Sequence, residues 1–254
     1  MPGRPYVLSE TTWKTVRSTA YDLAVLPWGA TEAHNYHLPY GTDTIQCERV
    51  AAEAARLAWE RGARVVVLPA VPFGVNTGQL DIELCLNMNP STQAALLGDL
   101  VHALGGQGIR KLVVLNGHGA NDFRQIIREL QPNTDVFLCA VNWYTVVDPR
   151  DRFEDLGDHA GEIETSVMLA LAPELVLPLS EAGPGTERRP KIRALRERWA
   201  WAPRPWTQVS DDTGIGNPKA ATAEKGRWYV EEVTRKIGDF LVELAEADVE
   251  DLYE

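Results

Sequence analysis

"RKLVVLNGHGAND", Arg110 to Asp122, runs from an unbroken apolar stretch straight into a turn of small residues. Leu112 to Leu115 show no polar alternation, the pattern of a parallel strand covered on both faces. A helical pattern, "DFRQIIREL" (Asp122 to Leu130), follows at once. Strand, glycine turn and helix open a βαβ unit, and the same order recurs along the chain. "DLAVLPW" (Asp22 to Trp28) reads as a strand, and "TIQCERVAAEAARLAWERG" (Thr44 to Gly62) as an amphipathic helix stopped by glycine. "ARVVVLPAV" (Ala63 to Val71) reads as a second buried strand. "NPSTQAALLGDLVHALGGQG" (Asn89 to Gly108) is a helix with Asn/Pro/Ser start signals and a glycine end. "DVFLCAVNWYTVV" (Asp135 to Val147) predicts a further strand, with helices from about Glu162 to Leu171 and from Thr222 to Ala247. Leu177 to Pro218, rich in Pro, Gly, Arg and Trp, reads as irregular.

Such alternation defines an α/β fold of three layers, α/β/α, with a mostly parallel sheet. No internal repeat and no clean linker divides it, so one domain over residues 1–254 is expected, long enough for a substantial core. Ligands of open parallel sheets bind beyond the carboxyl ends of the strands. The segment after the first strand and the "NGHGAN" turn after Leu115 share that rim, so they are read together.

Composition narrows the function. The chain carries 25 Lys and Arg against 36 Asp and Glu, a formal net charge of −11. Nucleic acid and anionic membrane surfaces both call for concentrated positive charge, so neither is expected as a partner. The N-terminal "MPGRPYVLSE" has no long apolar core of the signal-peptide kind, and no run reaches membrane-spanning length; a cytoplasmic protein is expected. The three cysteines are widely spaced with no CxxC pair, which argues against a disulfide framework or zinc knuckle and for buried thiols.

The first strand leads into "PWGATEAHNYHLPYGTDT", Pro27 to Thr44, which holds two of the five histidines beside two acids. Glu32 and His34, two apart on extended backbone, point to one side, and Asp43 at the end of the loop can return to them. His118 comes from the neighbouring strand end, where glycines permit close backbone approach. "DHAGEIET" adds His159 and Glu164, five apart where a loop enters a helix. Imidazole and carboxylate together suit a divalent cation with positions left open for water. Each residue also has an ordinary role: Asp43 as a helix N-cap, Glu162 and Glu164 as first-turn acids, His37 as a hydrogen-bonded structural residue, His102 as a structural residue of an amphipathic helix. Four of the five histidines falling in loops beside acids and glycines favour a metal site.

At these residues the chain resembles the creatininase (creatinine amidohydrolase) family. "GATEAHNYHLPYGTDT" is similar to its G-[ST]-x-E-x-H-x-x-H-L-P-x-x-T-D signature at Gly29, Glu32, His34, His37, Leu38, Pro39, Thr42 and Asp43. "LNGHGAND" resembles its N-G-H-G-[GA]-N element, "HAGEIETSVML" its H-[AG]-G-x-x-E-T-S segment, and "GNPKAATAEKG" (Gly216 to Gly226) its G-[DN]-P-x-x-A-T-x-E-K-G segment. The match runs from Leu23 to about Gly226 in the family's order. The resemblance implies two divalent ions (Zn, Mn or Fe) and a homo-oligomer, often a hexamer. Carried over, Glu32 and His118 serve one metal, His34 the other, and Asp43 bridges. Creatininase proper has a glutamate two residues beyond the His118 position, where this chain has Ala120. Glu164 is the candidate for that vacancy, as ligand or water-orienting base, and His159 matches a histidine credited with acid or substrate-binding work.

The implied activity is metal-assisted hydrolysis of a small polar, cyclic amide, in which the cations acidify a shared water and His159 delivers a proton to the leaving group. Two alternatives are hydrolysis of a ring C–C bond in a cyclic polyol ketone, and a non-catalytic ligand-binding relative. "PFGVNTGQLDIELCLNMNPST" (Pro72 to Thr92) departs from creatininase and places Asn76, Thr77, Gln79 and Asp81 where they suit a hydroxylated ligand or form a polar loop. "RERWAWAPRPW" (Arg196 to Trp206) reads equally as a lid or as a subunit contact.

Overall fold

The computed structural model describes residues 3–254; Met1 and Pro2, part of the predicted domain and of the N-terminal stretch, lie outside the described residues. The sheet has four strands, β1 (Leu23–Trp28), β2 (Val65–Val67), β3 (Lys111–Asn116) and β4 (Phe137–Asn142), in the order β2-β1-β3-β4. Every pairing is parallel, with Ala24 beside Leu112 and Leu112 beside Leu138. A short helix α1 (Trp13–Arg17) precedes the sheet. The main helices are α2 (Thr42–Glu60), α3 (Pro90–Gly106), α4 (Phe123–Leu130), α5 (Glu162–Leu171) and α8 (Ala223–Glu246), with single turns α6 (Arg193–Arg196) and α7 (Trp206–Val209) between the last two.

Successive strand side chains point to opposite faces, which divides the core in two. Leu23, Val25, Val113 and Leu115 face α2 and α8 and pack on Val50, Ala54, Tyr229 and Val233. Ala24, Leu26, Leu112 and Val114 face α3 and α4 and pack on Leu97, Val101, Phe123 and Ile126. This is the expected three-layer α/β fold, a single α/β domain. Covering both faces is why β1 and β3 read as continuous apolar runs.

β1 and β3 are neighbours, yet the chain leaves β1 towards β2 over one face and leaves β3 towards β4 over the other. That reversal makes the carboxyl ends of β1 and β3 a topological switch point, where open α/β sheets form their crevice. Lys111 ties the back of the sheet to α8, its ammonium donating to the carbonyls of Leu244, Ala245 and Ala247 at 2.7, 2.9 and 2.7 Å. Among the described residues no single helix is long and apolar enough to cross a membrane.

Some boundaries differ from the sequence expectations. The run Ala63–Val71 is a strand only over Val65–Val67: the Leu68 N–H still donates to Val25 O, but the next β1 donor facing β2 belongs to position 27, where Pro27 has no N–H; pairing resumes as one bridge between Trp28 and Val71. Pro27 therefore sits in a central strand at a point where its β2 neighbour has ended. Helix α2 starts at Thr42 rather than Thr44, which takes Asp43 out of the loop and into the first helical turn. The segment Leu177–Pro218 contains α6 and α7 but no strand among the described residues.

Candidate metal centre

Tight backbone approaches build the floor of the crevice. A Cβ at Gly29 would lie 2.6 Å from the Thr44 backbone, and one at Gly117 would lie 2.9 Å from Asp43 O and from Cys47 Cβ. Only glycine lets the ends of β1 and β3 meet the start of α2 so closely. The "NGHGAN" turn is framed by its asparagines. Asn116 Oδ1 accepts from the His118 N–H at 3.1 Å and from Asn121 Nδ2 at 3.0 Å, while Asn116 Nδ2 donates to His118 O at 2.9 Å. Asn121 Oδ1 accepts from the Val75 N–H and from Gln93 Nε2. These asparagines were matched in sequence only as motif letters; their role is to hold the His118 backbone.

Glu32, His34, Asp43 and His118 converge on this floor, each at most 5 % exposed. His159 joins them through paired backbone hydrogen bonds with Ile215, and partly buried Glu164 reaches in from the first turn of α5, where its Oε2 also accepts from the Ala160 N–H. His34 Nε2 lies 3.1 Å from Asp43 Oδ1. His118 Nδ1 lies 2.9 Å from Glu32 Oε1 and 3.0 Å from Asp43 Oδ2. His159 Nδ1 is 3.8 Å from Glu32 Oε1.

Three donor groups result, each with its ligand atoms within 4.8 Å of one another: Glu32, Asp43 and His118; His34, Asp43 and Glu164; Glu32, His34 and His159. Asp43 therefore does not cap α2; the N-cap is Gly41. His37 belongs to none of these groups and bonds Thr165 Oγ1 through Nε2 at 2.8 Å. His102 is exposed on α3.

The far nitrogen of each imidazole sets its tautomer. His34 Nδ1 meets Glu32 O at 3.1 Å, His118 Nε2 meets Val75 O at 3.1 Å, and His159 Nε2 meets Ala33 O at 2.8 Å. A carbonyl only accepts, so each of these nitrogens carries the hydrogen. The opposite nitrogen then turns a lone pair towards carboxylate oxygens, and Asp43 Oδ2 receives no hydrogen bond. Lone pairs of neutral imidazole and ionised carboxylate repel at such distances unless a cation lies among them. Backbone anchoring of the outward N–H is also how metal-binding histidines are commonly oriented. The residues present fit divalent metal.

Proton affinities express the same demand. Burial works against the His34 imidazolium, yet Asp43, with Glu164 and Glu32, holds its pKa up at about 10. Burial likewise opposes a charged His118, but Glu32 and Asp43 raise it well above the ordinary histidine value. Burial would push the Glu32 and Asp43 carboxyls up; the facing histidines overcome this and bring both below their usual range. Glu164 stays raised, burial being the larger influence.

Above the floor a cavity of ≈ 930 Å³ opens, walled by Asn142, Asp158, Trp201, Arg204 and Trp206. The Trp206 ring stands edge-on to His159 with centroids 4.8 Å apart, and Arg204 lies over Trp206 and pairs with Asp158. The Trp-rich segment is thus a wall of the cavity. The 72–92 segment lines the cavity through Asn76, Thr77, Gly78 and Gln79. Asn76 and Gln79 are buried and donate inward, Asn76 to Thr31 O and Leu86 O, Gln79 to Glu32 Oε2. Asp81 accepts from Thr207 Oγ1 at 2.6 Å. Asn76 Oδ1 is buried without a hydrogen-bond partner, and Thr77 is exposed on the cavity wall.

Fold and floor together define a doubly wound α/β domain with a candidate metal site at its switch point. The creatininase family, described as creatinine amidohydrolase, matches residues 9–241, and the chain belongs to it. It is 30 % identical over 198 residues to a creatinine amidohydrolase of Pseudomonas putida, covering 66 % of this chain and 73 % of that protein. It is 28 % identical over 173 residues to a 3-dehydro-scyllo-inosose hydrolase of Thermotoga maritima, covering 61 % of this chain and about half, 52 %, of that protein. A mycofactocin precursor peptide peptidase of Mycolicibacterium smegmatis is 26 % identical, with 85 % and 83 % covered. Among solved structures, a putative creatinine amidohydrolase from Bacteroides fragilis superposes with a TM-score of 0.93 at 46 % identity, covering 98 % of this chain and 99 % of that one.

Proposed function

We propose that this protein is a dinuclear-metal hydrolase that cleaves the C–N bond of a small polar, cyclic amide. The observation that carries the reading is Asp43. Its two oxygens face different histidines, and it is the residue common to the Glu32–Asp43–His118 and His34–Asp43–Glu164 groups. Glu32, His34, Asp43, His118 and Glu164 would hold two divalent ions, of Zn, Mn or Fe, with Asp43 shared between the two groups and Glu164 the candidate for the donor that Ala120 does not supply. When bound, such ions bring the pKa of water towards neutrality and polarise a carbonyl.

The chain's own groups do the rest. His159 has its Nε2 hydrogen committed to Ala33 O, so Nδ1, facing the floor, is the atom that takes a proton and returns it to the leaving nitrogen. Trp206 packs on that ring, fixes its plane and keeps bulk water from it. Glu164, with the raised carboxyl, orients water as well as binding.

A second reading, hydrolysis of a ring C–C bond in a cyclic polyol ketone, is favoured by the Thermotoga relative's name and by the polar wall of Asn142, Asp158 and Arg204. The peptidase relatives add a third leaving group of the amide kind. We further infer a homo-oligomer, as the family resemblance implies, and a cytoplasmic location, as the chain's apolar patterning suggests. The test is elemental analysis of the purified protein with a turnover screen against lactams, formamides, short peptides and cyclic polyol ketones. Amine release from a lactam that stops on chelation supports the first reading; carbocycle opening without amine release selects the second. A protein that takes up no transition metal after reconstitution sinks both.

A further inference from the structure

Glu32 presents one oxygen, Oε1, to His118, His34 and His159, while Oε2 points away to the amide of Gln79. Gln79 is 2 % exposed, and its other end is also engaged: Oε1 accepts from Cys85 Sγ at 3.1 Å. Burial raises the Cys85 thiol pKa, so the sulfur keeps its hydrogen to donate. The same sulfur accepts the Ala33 N–H at 3.2 Å, next in the chain to Glu32. An amide has a donor end and an acceptor end. With Cys85 on the acceptor end, Nε2 must face Glu32.

We propose that Cys85 and Gln79 form a tether that fixes which carboxylate oxygen of Glu32 faces the metal floor, making Gln79 a positioning residue for one of the two cations. The inference rests on the metal-site reading above. Gln79 binds Oε2 and leaves Oε1 as the single inward donor, so Glu32 ligates through one oxygen and cannot rotate to chelate with both. The loop that carries Gln79 is itself held. The Trp206 backbone N–H donates to Gly78 O at 2.9 Å, and a Cβ at Gly78 would clash with Arg204 O, so the cavity wall packs directly on the loop that carries the tether. A hydrogen-bond partner behind a metal ligand contributes about 10- to 100-fold in metal affinity.

The experiment titrates the metal-free full-length protein with Co(II) against a competing chelator and records the visible spectrum. Gln79→Leu, close in volume and without donors, is expected to weaken one binding step by about 10- to 100-fold, to change the spectrum of that step, and to leave the other step in place. Cys85→Ala should weaken the same step, and Cys85→Ser, which keeps a hydrogen to donate to Gln79, should restore most of the loss. Gln79→Leu and Cys85→Ala proteins with wild-type affinities and spectra for every step overturn the tether while the metal site stands. Equal weakening of all steps overturns it too, since that is the mark of general loosening. Wild-type protein that binds no Co(II) removes the metal-site reading and the tether together.

Discussion

Asp43 Oδ2 and His118 Nδ1 face each other across 3.0 Å, although the His118 hydrogen is on the far nitrogen, held by Val75 O. Two acceptors at this distance are stable only with positive charge between or beside them. In the metal-free protein that charge is a proton on the imidazole; in the proposed enzyme it is a cation.

Asp43→Asn keeps the shape and removes the charge on which both donor groups depend. Metal retention is expected to fall by more than about 100-fold, beyond the effect of losing an outer-sphere partner, and turnover with it. Circular dichroism should report an intact α/β fold. Metal content equal to the parent protein's would refute the bridging assignment.

Proton and metal compete at the floor, which gives affinity a pH sign. His34, with a pKa near 10, and His118, also raised, hold protons at neutral pH without metal. Loading metal must release protons, so affinity rises with pH until these groups have ionised unaided. Calorimetry in buffers of different ionisation enthalpy measures the release directly. Without metal, the raised histidines contribute stability that is complete below the ordinary histidine value of about 6.5 and is lost as pH climbs through about 10. Chelator-treated protein should therefore show a Tm that declines from pH 7 to 10 more than the loaded protein's does.

Two glycines of one turn should differ. Ala at Gly117 meets Asp43 O and Cys47 Cβ at 2.9 Å, whereas Ala at Gly119 meets nothing within 4 Å. Gly117→Ala is expected to cost about 1–3 kcal/mol, as overpacking does, and to weaken metal binding by displacing Asp43. Gly119→Ala should stay within about 0.5 kcal/mol of the parent. Urea midpoints decide it, and equal midpoints would remove the close-approach argument.

Lys111 closes the carboxyl end of α8 by donating to three carbonyls. Lys111→Met keeps the aliphatic stem and removes those bonds and the charge at the helix end. A loss of about 1–2 kcal/mol is expected, with no change in metal affinity, since the contact lies at the opposite end of β3 from His118. Denaturant unfolding and the Co(II) titration read the two effects separately.

Much of this was legible in the linear chain, for reasons that can be stated residue by residue. β1 and β3 announce themselves because both their faces are buried, so no polar residue interrupts Leu112–Leu115. Glu32, His34 and Asp43 were found because they fall within one short loop and the helical turn after it, and His118 because glycines surround it. The misreadings have local causes as well. Ala63–Val71 reads as one strand, since the valine pattern says nothing about a partner ladder that Pro27 in β1 cannot continue. Asn76 and Gln79 read either as ligand-facing groups or as a polar loop; polarity along a chain does not say which way a side chain points, and only the structure shows Gln79 donating to Glu32.

The sequence by itself determined the layer order of the fold, the family, and the kinds of donor that a metal would meet, since hydrophobic periodicity and short-range spacing are properties of the chain. Only the tertiary structure decided that Asp43 stands between two histidines, that Glu164 comes within reach of His34 and Asp43, and that Gln79 donates to Glu32. Apart from His34 and Asp43, nine positions apart, those relationships join residues 47 to 130 positions apart, and their geometry comes from how the switch point of the sheet brings separate loops together, which no local pattern encodes.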